Sequence, residues 1–353
     1  RIEHLPEIVA ALPSEDRERF DSIYRVTRVH AALTVPGSMT ESLGRRFGDL
    51  GLVSGQTVVT ATNRYTLEAT SFNGLRALRP MSHATGSSTE PDVDDPFADP
   101  ETQTPDNVIG RVRGRRSVTA ANVAASDAWH GVIIFNEPDP LAFDAEDVVD
   151  YLSTGLEWAR RAHVYDGRAV HPFLFWNANP RAGASLTHGH AQVIVRSDAP
   201  MARTEVQRSA AARYRSERHG SNYFDDVMDA HESVGLGSTL GTSRVAAHLT
   251  PIKERELLII GTGLDEDFFR SVGRALVSFR DAMSVTSFNL AVFGPPLDEA
   301  ERAGWEGFPA VARMVDRGRN DARSSDFAGM ELYGQSVVSA DPFDVARTLI
   351  MAL

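Results

Sequence analysis

The sequence predicts an α+β fold built from two similar halves. Strands and helices do not alternate strictly along the chain, as they would in a doubly wound parallel sheet. One order of elements also occurs twice, namely short strands, a helix with an acidic first turn and further strands. A length of 353 residues and a hydrophobic content of 42% suit two globular units of ordinary size.

The charge and the residue types present exclude several classes of function. Acidic residues outnumber basic ones by 48 to 36, which argues against binding a nucleic acid or an anionic membrane surface along a broad face. The absence of cysteine excludes disulfides, thiolate metal sites and cysteine nucleophiles. No apolar run approaches the length of a spanning helix, and the chain begins without a signal-peptide pattern, so we expect a cytoplasmic protein.

The first half is predicted to begin with an amphipathic segment and to continue with strands around one long polar loop. The loop is rich in Ser, Thr, Pro, Asp and Glu and nearly free of aliphatic residues, which is typical of an exposed insertion. In chain order, the amphipathic segment covers 15–28, strands lie within 56–70, the acidic insertion covers 81–107, and further strands cover 131–135, 171–176 and 187–196.

A helix is predicted to begin after Asp144, between two of these strands. Asp144 is a good N-cap residue, and the acidic side chains of Glu146 and Asp147 favour the positive end of the helix dipole. Apolar residues recur at helical spacing as far as Ala159, which gives the helix one face that packs on a sheet.

The second half is predicted to contain a helix, two strands, a second helix, another strand and a C-terminal helix. The last of these begins after Asp341, with Pro342 in its first turn. The other elements cover 204–218, 245–249, 256–260, 265–282 and 287–293. We divide the chain into residues 1–205, which carry the candidate catalytic residues and the insertion, and residues 206–353.

Polar side chains alternate along the strand at 187–196. Side chains in a strand point to opposite faces in turn, so His188, His190 and Gln192 share one face while Ala191 and Val193 share the other. Three interpretations are open at this point. The residues form a polar, solvent-facing strand, or the two histidines bind a metal together with further ligands, or one imidazole is a nucleophile towards phosphorus.

The run 177–192, with Ser185 before His188, His190 and Gln192, resembles the signature of the galactose-1-phosphate uridylyltransferase family. That family is a branch of the histidine-triad superfamily and is related to the dinucleoside tetraphosphate phosphorylases. Weaker blocks in the family's order extend the resemblance over most of the chain, at 63–68, 76–80, 249–251, 256, 287–289, 329–332 and 341–342. The resemblance implies a duplicated histidine-triad-like fold with two antiparallel sheets and flanking helices.

The same resemblance implies roles for the residues of the histidine motif. His190 would be the nucleophile that forms a nucleotidyl-histidine intermediate, and His188 would orient neighbouring groups. Ser185 would hydrogen-bond a phosphate, and Gln192 would bind a non-bridging oxygen of the transferred phosphoryl group. Hydrolases of the superfamily carry a third histidine where Gln192 stands, so glutamine favours transfer to a phosphate acceptor.

Four further residues are candidates for binding the substrate. Arg76 and Arg79 could form a fork for a phosphate, although a solvated loop beside Pro80 explains them too. Asn177 would contact phosphate or ribose by its match to the family, but a loop asparagine also caps turns. Asn122 is a weaker candidate for the nucleotide pocket.

The sequence departs from zinc-bearing members of the family. Those members hold a structural zinc with two cysteines, the first histidine of the motif and a histidine in the strand–helix connection. This chain has no cysteine, and Pro140 falls where the connecting histidine would lie. The stretch 287–296 also lacks the histidines of a second family metal site. We therefore expect no zinc at His188 and no cofactor.

The interpretation that follows is a ping-pong nucleotidylyltransferase that transfers a nucleoside monophosphate between a nucleotide sugar and a sugar 1-phosphate. The alternative in the same class is a phosphorylase of dinucleoside polyphosphates or nucleotide sugars. Alternatives of other classes are a metal-dependent hydrolase and a nucleotide-binding regulator without catalysis. The expected partners are a nucleotide sugar or nucleotide, a phosphate acceptor and a second copy of the chain, with no nucleic acid and no membrane.

Overall fold

The computed structural model describes residues 1–78, 95–322 and 325–352. The strands in these ranges form one sheet of four strands and one of nine, and helices pack beside them. The predicted α+β class is therefore confirmed. None of the helices in these ranges has the length and hydrophobicity needed to cross a membrane.

The first elements of the chain build most of the small sheet. They are α1 (Leu5–Ala10), α2 (Ser14–Ile23), β1 (Tyr24–Ala32), α3 (Thr40–Phe47), α4 (Leu50–Ser54), β2 (Gly55–Asn63) and β3 (Ala69–Phe72). The predicted amphipathic segment 15–28 is helical only as far as Ile23. At Tyr24 the backbone becomes extended, because β1 pairs with β2 from Tyr24 opposite Asn63 onwards.

The first half of the large sheet follows. Its elements are α5 (Pro100–Gln103), β4 (Ser117–Ala121), β5 (His130–Phe135), α6 (Ala145–Tyr165), β6 (His171–Ala178) and β7 (His190–Arg196). Helix α6 begins as predicted, since the Asp144 carboxylate accepts a bond from the Asp147 N–H at 2.8 Å and the Asp147 carboxylate accepts one from the Asp144 N–H. The strand predicted over 187–196 begins only at His190.

The second half repeats this arrangement and returns to the small sheet. Its elements are α7 (Ala202–Glu217), α8 (Tyr223–Ser233), β8 (Gly237–Leu240), β9 (Ser243–Ala247), β10 (Glu254–Gly261), α9 (Glu266–Asp281), β11 (Phe288–Phe293), β12 (Ala310–Asp316), α10 (Gly329–Leu332), β13 (Gln335–Val338) and α11 (Pro342–Ala352). The C-terminal helix begins at Pro342 as predicted, whereas α8, β8, β12, α10 and β13 were not predicted. Strand β13 joins the small sheet by pairing in parallel with β3.

The order of strands in the large sheet shows that the fold is duplicated. It reads β4-β5-β7-β6-β11-β12-β10-β9-β8, and every neighbouring pair is antiparallel. The first four strands with α6 are thus repeated in mirrored order by β11, β12, β10 and β9 with α9. Pairing of β6 with β11 joins the two halves into one continuous sheet. The division at 205/206 falls inside α7, and the two domains stay a prediction.

The two faces of the large sheet have different surroundings. One face packs against α6 and α9 through a large apolar core that includes Trp158, Trp176 and Phe279. On the other face, the small sheet contacts the second half of the large sheet. There, the Glu68 carboxylate pairs with Arg313 of β12 at 2.7 Å. In the first half, that same face carries the polar side chains of β7.

Candidate active site

Strands β6 and β7 and the loop between them build the candidate site. The strands pair with Phe175 opposite Gln192, and the same register continued by two residues along each strand places Asn177 beside His190. Ala191 and Val193 point the other way into the buried core. Three polar side chains, those of Asn177, His190 and Gln192, are therefore gathered on one face of the sheet.

The hydrogen bond of His190 determines which of its nitrogens can react. Its Nδ1 lies 2.8 Å from the carbonyl oxygen of His188. A carbonyl only accepts, so Nδ1 carries the ring proton and Nε2 keeps its lone pair. Burial lowers the pKa of His190, which favours the neutral ring at pH 7. Within the described residues no group hydrogen-bonds Nε2, so this lone pair is available to an electrophile.

His188 is held on both sides and is not available as a base. Its Nε2 lies 2.9 Å from the Phe135 carbonyl oxygen, and its Nδ1 lies 2.7 Å from a carboxylate oxygen of Asp95. The carboxylate and the carbonyl both accept hydrogen bonds, so each of the two ring nitrogens is engaged by a neighbouring oxygen. The carbonyl of this anchored residue holds the His190 ring, and the orienting role of His188 stays a prediction.

Gln192 is fixed through its amide oxygen. That oxygen lies 2.8 Å from Nε2 of His130 and 3.2 Å from the amide nitrogen of Asn122. The structure therefore brings Asn122 into the site beside Gln192. His130, the first residue of β5, was missed in the sequence because it lies 62 residues from Gln192 and belongs to no motif.

The second half supports the loop that precedes His190. Asn289 of β11 donates its amide nitrogen to the Asn177 side-chain oxygen at 2.7 Å and to the Ala182 carbonyl at 2.8 Å. Arg317 donates to the Asn289 oxygen at 2.5 Å and is itself paired with Asp326 at 2.7 Å. Asn177 is therefore held in place across the junction of the two halves.

The remaining predicted residues lie in different places. Ser185 is exposed on the β6–β7 loop. Arg76 belongs to a short 3-10 helix, Gly74–Leu78, and lines a small cavity with Gln56 and Asn73 on the small sheet. Arg79 lies outside the described residues. The roles predicted for these three residues stay predictions.

The end of the predicted acidic insertion reaches the candidate site. The Phe97 ring lies 5.1 Å from the His190 ring and 5.9 Å from the His188 ring, centroid to centroid. Phe97 also packs on an apolar patch of β4 and β5 that includes Val118 and Ile134. The expectation of an exposed loop over 81–107 is therefore wrong at residues 95–97, which are half-buried. The one available signal was Phe97 itself, the only aromatic residue in that polar stretch.

The residues around His188 do not fit a zinc ion. Both ring nitrogens of His188 already have partners, and the next residue is enclosed by the strand–helix connection. A Cβ atom on Gly189 would lie 2.9 Å from the Glu137 carbonyl oxygen and 3.4 Å from Pro140. Over residues 1–78, 95–322 and 325–352, no group of three His, Cys, Asp or Glu side chains is arranged to hold a metal. No step of the chemistry is therefore assigned to zinc.

The Asp95 carboxylate is expected to stabilise the fold through His188. Replacing Asp95 with Asn removes a charge-assisted hydrogen bond whose imidazole side is buried, which costs about 1–2 kcal/mol of unfolding free energy. Urea denaturation measures this loss. Asp198→Asn, at an exposed carboxylate, is the matched control and is expected to change stability by less than about 0.5 kcal/mol. Equal stability of both variants would contradict the role of Asp95.

Comparisons with known proteins connect this arrangement to a fold. No family model matches the sequence, and no curated protein matches it either. Solved structures do match. An ADP-glucose phosphorylase from Arabidopsis thaliana with bound ADP-glucose aligns with a TM-score of 0.61 at 15% identity, over 82% of this chain and 97% of that one.

Two other solved structures agree with this match. A galT-like protein from Arabidopsis thaliana has a TM-score of 0.57 at 15% identity, over 73% of this chain and 92% of that one. A uridylyltransferase has a TM-score of 0.56 at 17% identity, over 82% of this chain and 97% of that one. The chain therefore has the duplicated α+β fold of the galactose-1-phosphate uridylyltransferase-like proteins.

Proposed function

We propose that the protein is a nucleotidylyltransferase that works by a ping-pong mechanism through a nucleotidyl group on Nε2 of His190. The donor is a nucleotide sugar and the acceptor a sugar 1-phosphate. The observation that carries the proposal is the hydrogen bond from His190 Nδ1 to the His188 carbonyl, because it leaves the Nε2 lone pair free on the face that also carries Gln192 and Asn177.

In the first step, the Nε2 lone pair attacks the α-phosphorus of the donor. The P–N bond forms as the P–O bond to the leaving sugar phosphate breaks, and the electron pair of that bond stays on the leaving oxygen. The ring becomes positively charged, and the His188 carbonyl stabilises this charge through Nδ1–H. An oxygen of the acceptor phosphate then attacks phosphorus, and the P–N electron pair returns to Nε2.

The other predicted residues act by binding and by stabilising charge. Gln192 donates its amide N–H groups to a non-bridging oxygen of the transferred phosphoryl group, and Asn177 and Asn122 contact the nucleotide. Ser185, Arg76 and Arg79 bind phosphate groups of the substrates. Phe97 excludes water from the histidine pair, which favours transfer over hydrolysis.

The second candidate is a phosphorylase, in which inorganic phosphate is the acceptor. The fold that this chain shares with an ADP-glucose phosphorylase supports including it. The same nucleophile serves both reactions, so the acceptor alone separates them. The absence of zinc at His188 is part of the proposal, while the homodimer and the cytoplasmic location stay predictions.

Intact mass spectrometry tests the proposal. The protein is incubated separately with ADP-glucose and with UDP-sugars, and we expect its mass to increase by one nucleoside monophosphate, with the group mapped by peptide analysis to His190. The adduct is then mixed with glucose 1-phosphate or with radiolabelled phosphate. With radiolabelled phosphate, the appearance of label in free nucleoside diphosphate identifies a phosphorylase. With glucose 1-phosphate, the formation of a nucleotide sugar identifies a transferase.

Two other outcomes would contradict the proposal. Donor consumption that stops on adding a chelator and leaves no adduct would identify a metal-dependent hydrolase. Saturable binding of the donor with neither turnover nor adduct would identify a nucleotide-binding regulator.

The pH dependence of adduct formation follows from the burial of His190. The reactive form is the neutral ring, and burial lowers its pKa below the ordinary value of 6.5. The rate constant for adduct formation is therefore expected to fall to half of its high-pH value only below pH 6.5. Quenched-flow measurements with a saturating donor determine it. If the rate constant were already halved at a pH above 6.5, the buried environment assigned to His190 would be contradicted.

A further inference from the structure

His130 contacts the candidate site but has no role in the reaction described above. It is buried at the start of β5, and its Nε2 lies 2.8 Å from the amide oxygen of Gln192. The neighbouring residues decide which hydrogen-bonding roles this contact permits.

The position of the ring proton of His130 follows from its other nitrogen. The backbone N–H of Ser126 points at Nδ1 from 3.0 Å. A backbone N–H can only donate, so Nδ1 accepts and is unprotonated. The proton of the neutral ring is therefore on Nε2, and His130 donates to Gln192. Burial lowers the pKa of His130, which is consistent with a neutral ring.

The orientation of Asn122 is fixed in the same way. Its side-chain oxygen accepts from the Ala124 N–H at 2.9 Å, so its amide nitrogen faces the Gln192 oxygen at 3.2 Å. The same nitrogen lies 3.1 Å from Nε2 of His130, and because both of these nitrogens carry hydrogen, each donates to Gln192 rather than to the other. Two donors, one from His130 and one from Asn122, therefore converge on one oxygen of Gln192. A flipped Gln192 amide would place its own N–H groups against both donors.

We infer that His130 is a positioning residue that holds the Gln192 amide in one orientation, with its nitrogen turned away from His130 and Asn122 and available as a donor to the phosphoryl oxygens. This inference rests on the proposed function. Gln192 in this orientation stabilises negative charge on the transferred group. The side-chain oxygen of Gln192 already accepts hydrogen bonds from His130 and Asn122, so it cannot accept a proton from water. The site therefore differs from one that activates water for hydrolysis.

Kinetics of adduct formation test the inference. His130→Phe removes the donor while keeping a flat ring, and we expect the rate constant at saturating donor to fall about tenfold while the donor KM changes less than about threefold. His130→Gln, which retains an amide donor, is expected to recover part of the loss. If both variants fold as the wild type and react at the wild-type rate, the inference is wrong.

A double-mutant cycle separates positioning from a general structural effect. Gln192→Ala is expected to slow adduct formation about a hundredfold, as loss of a phosphoryl-stabilising donor does. If His130 acts through Gln192, adding His130→Phe to Gln192→Ala changes the rate less than about twofold. A further tenfold loss in the double variant would show that His130 acts by another route and would overturn the inference.

Nitrogen NMR of the histidine rings provides a measurement that needs no activity. We expect His130 in the wild-type protein to be neutral at pH 7 with its proton on Nε2. A proton on Nδ1 in a protein that forms the adduct would overturn the inference and leave the proposed function standing. A wild-type protein that forms no adduct with any donor would overturn the proposed function and, with it, the role of His130 in transfer.

Discussion

His190→Ala is expected to form no nucleotidyl adduct and to lose at least about a thousandfold in transfer rate. The substitution removes the only group in the proposed mechanism that bonds to phosphorus, and the bonds that position it explain why no neighbour takes over. Both ring nitrogens of His188 are engaged by Asp95 and the Phe135 carbonyl. Loss of a covalent nucleophile is among the largest effects of a single substitution on an enzyme.

The measurement is intact mass after incubation with the best donor, together with the steady-state transfer rate. His30→Ala, at an exposed histidine on β1, is the matched control and is expected to keep both the adduct and the rate. Circular dichroism and thermal unfolding establish that His190→Ala is folded. Donor consumption at the wild-type rate by folded His190→Ala would rule out the proposed mechanism.

Glu256→Gln is expected to reduce the unfolding free energy by about 3–5 kcal/mol, the range found when one partner of a buried ion pair is removed. The Glu256 side chain has no solvent exposure, and it bonds Arg313 of β12 and the Ile252 N–H. After the substitution, Arg313 keeps its charge in the core with Glu68 as its remaining carboxylate partner. The loss is large because the Arg313 guanidinium cannot reach water without disrupting the contact between the small sheet and the large sheet.

Chemical denaturation of the variant and of Glu299→Gln measures this effect. Glu299 is 90% exposed, and the control is expected to change stability by less than about 0.5 kcal/mol. Equal stability of the two variants would contradict the role assigned to the buried pair.

The pH dependence of wild-type stability gives a second check on Glu256. Burial alone raises the pKa of Glu256, but Arg313 and His248 more than reverse this and hold it at about 2. Because the folded-state pKa lies below the ordinary value of 4.5, the contribution of Glu256 is fully present above pH 4.5 and is lost as the pH falls towards 2. Glu256→Gln is expected to lack this component of the acid-induced loss.

Local sequence signals correctly predicted features that depend on a single helix or strand. The Asp144 cap and the apolar periodicity after it predicted the start of α6, and Pro342 predicted the start of the C-terminal helix. The strand period placed His188, His190 and Gln192 on one face. The structure agrees for His190 and Gln192, whereas His188 lies before the strand begins. The same signals were misleading at 15–28, because pairing of β1 with β2 overrides the helical pattern after Ile23.

Contacts between distant segments could not be predicted in this way. The partners of the histidine motif lie 93 residues away at Asp95 and 62 residues away at His130, and the partner of Asn177 lies 112 residues away at Asn289. Helical and strand periods record which residues share a face, but they do not record which segment packs against that face. Phe97 was a signal that part of the acidic loop is buried, but neither this loop nor the isolated histidine carried a sign of which strands it contacts.

The sequence by itself determined that two halves repeat one order of elements, that His190 shares a strand face with Gln192, and that no thiolate metal site exists, because each follows from residue type or local spacing. Only the tertiary structure decided that the two halves share one sheet, that Asp95 holds His188, and that His130 orients Gln192. These depend on strand pairing and on the packing of distant segments, which bring hydrogen-bond donors and acceptors within about 3 Å of one another.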